Sequence, residues 1–585
     1  MRSFLKFFLA SFVALIIFSI LFLLLLVGWI GGLTRSQKPE TGAKAVLMLD
    51  LSQEYRERMQ QNPLGNFSSD QYDVPGIYDL IRLVAYAKQD TAIKGIYVKC
   101  DGNPNGFASS EEIRNALIDF KRSGKFIFAY GDVIPQKAFY VGSVADKIYC
   151  NPKGGVEWKG LASVMPFLKG ALDKLEIEPQ IFYAGKFKSA TEPLREIKMT
   201  DANRLQTTEL LNDLYNRMIY KIASARSLDT GVLRKCVNES LIRFPSDAAR
   251  FRFVDGLKYD DQVRNEIKGL LRLGANDKIN FISAGKYAEA VRTNFKRSGN
   301  DHIALIYAEG DITGGKNDEL EIGGEAYRNL IRRVRMDKDV KALVLRINSG
   351  GGSALISENL WRELTITRKE KPVVISFGDV AASGAYYLSC NADSIFAEPN
   401  TITGSIGVFT VLPNMQKFFK NKLGVTFDGV KTAPDADMMS ITKPLTEMQR
   451  RFVQSEIDGI YNDFKTRVSE GRNKSMEFVD SIGQGRVWSG ERAIQLGLVD
   501  RLGGLQEAID CAARMAKTTD YRLKEYPEPK NIFDLLFGNY RRSAQTKMMK
   551  EELGEEEFQV FQSLKKLKAM IGTTQARIPV EINPE

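Results

Sequence analysis

Short apolar runs and longer amphipathic segments take turns along most of this chain. VKALVLRIN (Val340 to Asn348) and the stretch Val373 to Phe377 are nearly continuous Val/Leu/Ile-rich runs. Between them SENLWRELTITRK carries Leu360 and Leu364 at helical spacing. Runs of that length read as strands buried on both faces, and their alternation with helices predicts parallel pairing in a layered α/β fold. A longer amphipathic helix is predicted through Phe452, Val453, Ile457, Ile460, Phe464 and Val468, of a kind suited to packing on a neighbouring copy or subunit. The N-terminus follows neither pattern. Phe7 to Trp29 is a run of 23 uncharged residues preceded by Arg2 and Lys6. At 1.5 Å per residue it reaches roughly 34 Å, against a bilayer core of about 30 Å. The run is too long for the core of a cleaved signal peptide and no small-x-small site follows it, so it predicts an uncleaved signal anchor. Such an anchor, with a short basic head, is expected to leave the large part of the chain outside the cytoplasm, although Arg35 and Lys38 after the span weaken the charge asymmetry.

The chain also repeats itself. GDVIPQKAFYVGSVADKIYCNP, from Gly131, aligns with GDVAASGAYYLSCNADSIFAEP, from Gly378, at an offset of 378 − 131 = 247. The same offset pairs Glu111 with Glu358, Tyr140 with Tyr387, Asp146 with Asp393 and Gly160 with Gly407. Correspondence continues from Leu214 against Ile460 and from Ser246 against Ser489. A tandem duplication is the reading, with residues 1–32 as head and anchor, 45–295 as the first α/β repeat and 300–527 as the second. Residues 528–585, charged around KMMKEELGEEEF, are expected to form peripheral helices or a disordered end.

Composition narrows the function classes. The net charge of +10 is spread over a long chain, and without a nucleic-acid-binding signature it reads as a lysine-rich solvated surface. No nucleic acid is expected as a partner. Five cysteines (Cys100, Cys150, Cys236, Cys390, Cys511) show no C-x-x-C spacing, which argues against a disulfide framework or a metal site and for buried thiols. No cofactor is implied.

The two copies differ where chemistry would sit. Ser383, at a strand-to-helix turn, corresponds to Gln136 in the first copy, and the run Gly350-Gly351-Gly352 belongs only to the second. Conversely, with Gly185 aligned on Gly429, Lys188 of the first copy faces Thr432. Each half lacks what the other holds, which suggests one composite site. The chain has a single histidine, His302, at the start of a different strand. A lysine can replace histidine as the base for a serine nucleophile if burial lowers its pKa by about 3–5 units, as in Ser-Lys dyads. Backbone N–H groups of the glycine run, and of Gly384 at a helix start, would then meet the developing oxyanion. Lys186 and Lys188 lie two apart in GKFKSA, so strand periodicity does not choose between them.

GDVAASGAYYLS, RINSGGGS, TGSIGVF and GKFKSATEP together resemble the signal peptide peptidase A family (protease IV, peptidase family S49) in its long tandem form. The resemblance covers most of residues 45–527 and the N-terminal anchor. It implies tandem Clp-protease/crotonase-like α/β domains behind one transmembrane helix, with a Ser-Lys dyad split between the halves. It assigns Ser383 as nucleophile, Lys188 as general base and Ser405 as the serine that orients the lysine, with Gly352 and Gly384 as oxyanion donors. It further implies an endopeptidase of the inner membrane, with its catalytic part on the periplasmic side. Such an enzyme degrades cleaved signal peptides and other apolar peptides, in contact with the bilayer, as a homotetramer. The family often has proline where Gly350 stands, which predicts a looser loop here. Two rival readings are a crotonase-like acyl-CoA enzyme and a non-catalytic membrane-anchored scaffold, neither of which explains the Ser/Lys asymmetry.

Overall fold

The computed structural model describes residues 2–33, 40–60, 73–291, 299–315, 321–528 and 573–578. Two sheets, the first parallel and the second parallel except for one edge pair, carry the alternating pattern. In the first, six parallel strands run in the order Gly256–Leu257, Lys147–Val156, Phe126–Ile134, Ile93–Lys99, Ala45–Asp50 and Phe281–Ser283. The second has eight strands, with Val373–Ala382, Val340–Ser349 and Asp301–Glu309 adjacent and parallel at its centre. Helices such as Phe107–Lys121 and Ala354–Arg368 cover the sheets, burying Ile113, Leu117 and Phe120 in one repeat and Leu360 and Leu364 in the other.

The duplication is visible in the side-chain wiring. The Tyr140 hydroxyl donates to Glu111 (2.9 Å), which also takes the Arg217 guanidinium (2.5 Å). In the second repeat the Tyr387 hydroxyl donates to Glu358 (2.7 Å), which takes Arg467 (2.9 Å). Asp146 and Asp393 each accept from a strand amide, of Ile127 and Val373, at 2.8 Å. Positions matched in sequence therefore hold the same bonds in space.

Charged groups join the two repeats. Arg346, fully buried, donates to Glu57 (2.8 Å) and Glu112 (2.6 Å) of the first repeat. Asp379 accepts from the amide (2.9 Å) and hydroxyl (2.5 Å) of Ser109. Removing one partner from a buried set of this kind typically costs about 3–5 kcal/mol, because the remaining charge is left uncompensated. The long helices Asp201–Arg226 and Glu447–Arg472 each reach the other repeat. Asp213 of the first meets Ser489 and Arg492, and Gln454 of the second meets the Tyr183 carbonyl.

A third sheet is shared. Its strands run Glu321–Gly323, Asp311–Thr313, Gly351–Ser353, Gln575–Arg577, Val408–Asn414 and Glu178–Ala184. The last of these belongs to the first repeat and pairs antiparallel with Val408–Asn414 from the second, Ala184 opposite Val408. The expectation of a peripheral C-terminal tail is corrected here. Residues 573–578 include a strand inside this sheet, because the neighbouring edges carry open backbone groups that a strand can satisfy. Residues 529–572 and 579–585 lie outside the described residues.

Arg2–Leu33 is one helix, and Phe7, Phe8, Phe12, Leu15 and Phe18 on it are exposed. No helix among the described residues is long and apolar enough to cross a membrane. Of the expected anchor Phe7 to Trp29, the side chains of Ile20 and of residues 23–29 lie outside the described residues. All five cysteines are free and buried.

Candidate active site

Ser383 caps the helix Gly384–Ser389 directly after the strand Val373–Ala382, with φ 56° and ψ −115°. A non-glycine residue held there costs of order 1–3 kcal/mol, so the surroundings must over-determine it. They do: its amide donates to Gly404 O (2.8 Å) and its carbonyl accepts from Tyr387 N (2.8 Å). The turn leaves Oγ buried, 3.5 Å from Gly407 O. In the first repeat the matching position is filled differently. The Gln136 side chain donates to Gly160 O (2.6 Å) and accepts from Gly160 N (3.1 Å), closing that half on itself.

Lys188 arrives from the other repeat. The strand Glu178–Ala184 ends, Gly185 turns at φ 108°, and the Lys188 amide donates back to Gly185 O (3.0 Å). Because 185–188 is a turn rather than a strand, the two lysines diverge. Lys186 is exposed with its ammonium 5.0 Å from the Phe187 ring, whereas Lys188 is 0 % exposed. Lys188 Nζ lies 2.8 Å from Ser383 Oγ, 3.0 Å from Ser405 Oγ and 3.2 Å from Ser405 O. No carboxylate is among these partners. Burial alone holds the amine well below its ordinary value of 10.5.

The segment Gly483–Ser489 stitches these pieces together, and sequence reading did not single it out. Gln484 O accepts from Phe187 N (2.8 Å), Arg486 O accepts from Ser405 N (2.7 Å), and Gly485 N donates to Ile406 O (2.7 Å). Gly485 has φ 81°, and a Cβ there would sit 2.6 Å from Lys188 Cα. The Arg486 guanidinium stacks at 5.0 Å over Phe187 and pairs with Glu209. Gln206, on the long first-repeat helix, donates to Phe187 O (3.0 Å) and Ser189 Oγ (2.9 Å). The G-Q-G spelling was the available signal, but a glycine pair has no meaning until its neighbour is known.

Gly351 (φ 101°) and Gly352 (φ 158°) form the strand beside the serine turn, while Gly350 is not among the positive-φ residues. Gly350 is thus the one position of the three whose backbone does not call for glycine. Gly384 N lies at the first position of its helix, where the helix offers its amide no carbonyl. The position of a Cβ on Gly384 is 3.2 Å from Gly352 N, so the two glycines face one space. Ser383, Lys188, Ser405, Gly352 and Gly384 are therefore brought together. His302 is not part of this group. It pairs with Val340 at the start of its strand, whereas Ser383 follows the far end of the parallel strand Val373–Ala382.

The arrangement offers a serine hydroxyl against a desolvated amine, next to backbone donors. Known proteins are similar to this chain in sequence. Residues 119–274 and 365–519 match Peptidase family S49. The Protease 4 of Salmonella typhi is 32 % identical over 522 residues, covering 86 % of this chain and 84 % of its own. The Protease 4 of Haemophilus influenzae is 31 % identical, over 81 % of this chain and 79 % of its own. A chloroplastic serine protease SPPA of Arabidopsis thaliana is 31 % identical over 74 % of this chain and 64 % of its own. With both repeats matched and the likeness running through most of its length, the chain belongs to peptidase family S49 and is a serine protease.

Proposed function

We propose that the chain is a membrane-anchored endopeptidase working through a Ser383–Lys188 dyad on apolar peptides, cleaved signal peptides among them. The observation that carries the reading is the 2.8 Å separation of Lys188 Nζ from Ser383 Oγ in a site where the lysine is fully buried. A neutral amine has one lone pair and two N–H bonds. It accepts the Ser383 proton while donating to Ser405 Oγ and Ser405 O, which orients it. Ser383 attacks the peptide carbonyl, and Gly352 and Gly384 N–H groups stabilise the oxyanion. Lys188 passes the proton to the leaving amine, and water, activated the same way, releases the acyl group. A helix whose exposed side chains from Phe7 to Phe18 are apolar apart from Ser11 is suited to lipid and supports an anchor, and the anchored enzyme would then work outside the cytoplasm at the inner membrane. The two repeats, 45–295 and 300–527, are tandem Clp-protease/crotonase-like domains, and the chain assembles as a homotetramer.

The pH dependence tests the base. Only the unprotonated amine accepts a proton, so kcat/KM on an apolar peptide rises as pH is raised through the Lys188 pKa. Burial lowers that pKa, so the rising limb lies well below 10.5. A limb at the ordinary lysine value would remove Lys188 from the role.

Gly485 provides a test of positioning. In Gly485→Ala the methyl group meets the Lys188 backbone at a φ that alanine rarely adopts. A displacement of about 1 Å can cost on the order of 10²-fold. We expect a loss of at least that size in kcat together with a lowered melting temperature, since the clash is with backbone and the strained φ costs of order 1–3 kcal/mol. Unchanged kcat would show that the lysine turn does not depend on this contact.

A further inference from the structure

We propose that Tyr461 is the positioning residue through which the long helix Glu447–Arg472 fixes the place of Lys188 opposite Ser383. The inference rests on the Ser-Lys reading above. It starts from the segment that shapes the lysine turn. A Cβ on Gly185 would lie 2.4 Å from the carbonyl carbon of Gln484, and a Cβ on Gly485 would lie 2.6 Å from both Lys188 N and Lys188 Cα. The two stretches, one from each repeat, therefore meet backbone to backbone, with Phe187 N donating to Gln484 O. At that distance a shift of residues 484–485 passes directly to Lys188.

Gln484 has to be held in place. Its φ of 52° puts a residue with a side chain in the left-handed region, so its neighbours must over-determine it. The Tyr461 hydroxyl supplies one of the bonds that do so, accepting from Gln484 N at 3.0 Å. The same hydroxyl donates to Asp480 Oδ1 at 3.0 Å. Asp480 in turn accepts from Lys465 Nζ at 3.1 Å and from Gln484 Nε2 at 3.2 Å. Burial pushes the Tyr461 phenol above its ordinary value of 10, so at neutral pH it keeps the proton it donates to Asp480.

The duplication sharpens the assignment. With Leu214 aligned on Ile460, Tyr461 corresponds to Tyr215 of the first repeat. The Tyr215 ring lies 5.7 Å from the Arg234 guanidinium, and Arg234 donates to Asn216 at 2.8 Å, so this tyrosine is engaged within its own repeat. Of the two tyrosines, the one that reaches the lysine turn is in the half that carries Ser383. There the bonds run from Lys465 through Asp480, Tyr461 and Gln484 to Phe187, one residue short of the base. None of these bonds involves a reacting atom, so their effect on the reaction runs through Lys188.

The test compares Tyr461→Phe with wild type as full chains, from initial rates on an apolar peptide across pH. Without the hydroxyl, Gln484 N loses this acceptor, the 484–485 backbone is free to shift, and water gains access to the lysine. We expect kcat to fall about tenfold with KM nearly unchanged, since a misplacement of about 1 Å costs on the order of 10²-fold and this one is smaller. Water at the amine reverses part of the effect of burial, so the rising limb of kcat/KM should move up by at least about 0.5 pH unit. Asp480→Asn keeps an acceptor for the Tyr461 hydroxyl and should retain most of the rate, whereas Asp480→Leu should resemble Tyr461→Phe. Tyr215→Phe should match wild type. An unchanged kcat in Tyr461→Phe overturns the proposal and leaves the dyad standing. So does a fall in kcat with the limb unmoved, because a merely structural bond lowers the rate without altering the base. Full activity in Lys188→Ala removes the dyad and this proposal together.

Discussion

Ser383→Ala is expected to abolish hydrolysis of an apolar peptide, by about 10⁴-fold or more, with little change in melting temperature. The size follows from the reaction: without Oγ there is no acyl-enzyme, and what remains is positioning and oxyanion stabilisation, as when a triad serine is removed. Stability is spared because alanine keeps the volume of serine to within one atom. The backbone bonds from Ser383 N to Gly404 O and from Tyr387 N to Ser383 O do not involve the side chain. Initial rates beside a thermal melt check both halves. Turnover by the folded variant near the wild-type rate would sink the nucleophile assignment.

Lys188→Arg is expected to lose activity almost as completely as Lys188→Ala, by several orders of magnitude, although it preserves the charge of an ordinary lysine. The guanidinium stays protonated and has no lone pair to take the Ser383 proton. It would also enter a fully buried site whose hydrogen-bond partners are Ser383 and Ser405, with no carboxylate to pair with it. Lys186→Ala should keep most of the wild-type rate, since that side chain is exposed against Phe187. Rates for the three variants on one peptide, with circular dichroism to establish folding, decide the matter. An active Lys188→Arg, or an inactive but folded Lys186→Ala, would dissolve the dyad.

The order of strands and helices was legible in the chain because burial on both faces of a parallel strand leaves a nearly unbroken apolar run. Val340–Ser349 and Val373–Ala382 begin where the pattern placed them, and Ser383 does stand between a strand and a helix. The repeat was legible too, since Glu111 and Glu358 or Asp146 and Asp393 keep the same bonds and so the same residue types. The asymmetry of the copies pointed to Ser383 and Lys188 before any distance was known. The choice between Lys186 and Lys188 was not accessible to periodicity. It depends on the strand ending at Ala184 and the chain turning at Gly185, so that one lysine faces water and the other Ser383.

Local pattern records only what each residue does to its own segment. It determined by itself the layered α/β class, the duplication and the residue types of a serine-lysine site. Tertiary structure alone decided that Gly485 must lack a side chain for Lys188 to approach, and that Arg486 and Gln206 brace the lysine turn. It also decided that the strand Gln575–Arg577 lies against Gly351–Ser353. Each of these joins residues far apart in the chain through backbone approach or ladder register. Close approach is a property of two surfaces meeting, and neither surface is written in a single stretch of sequence.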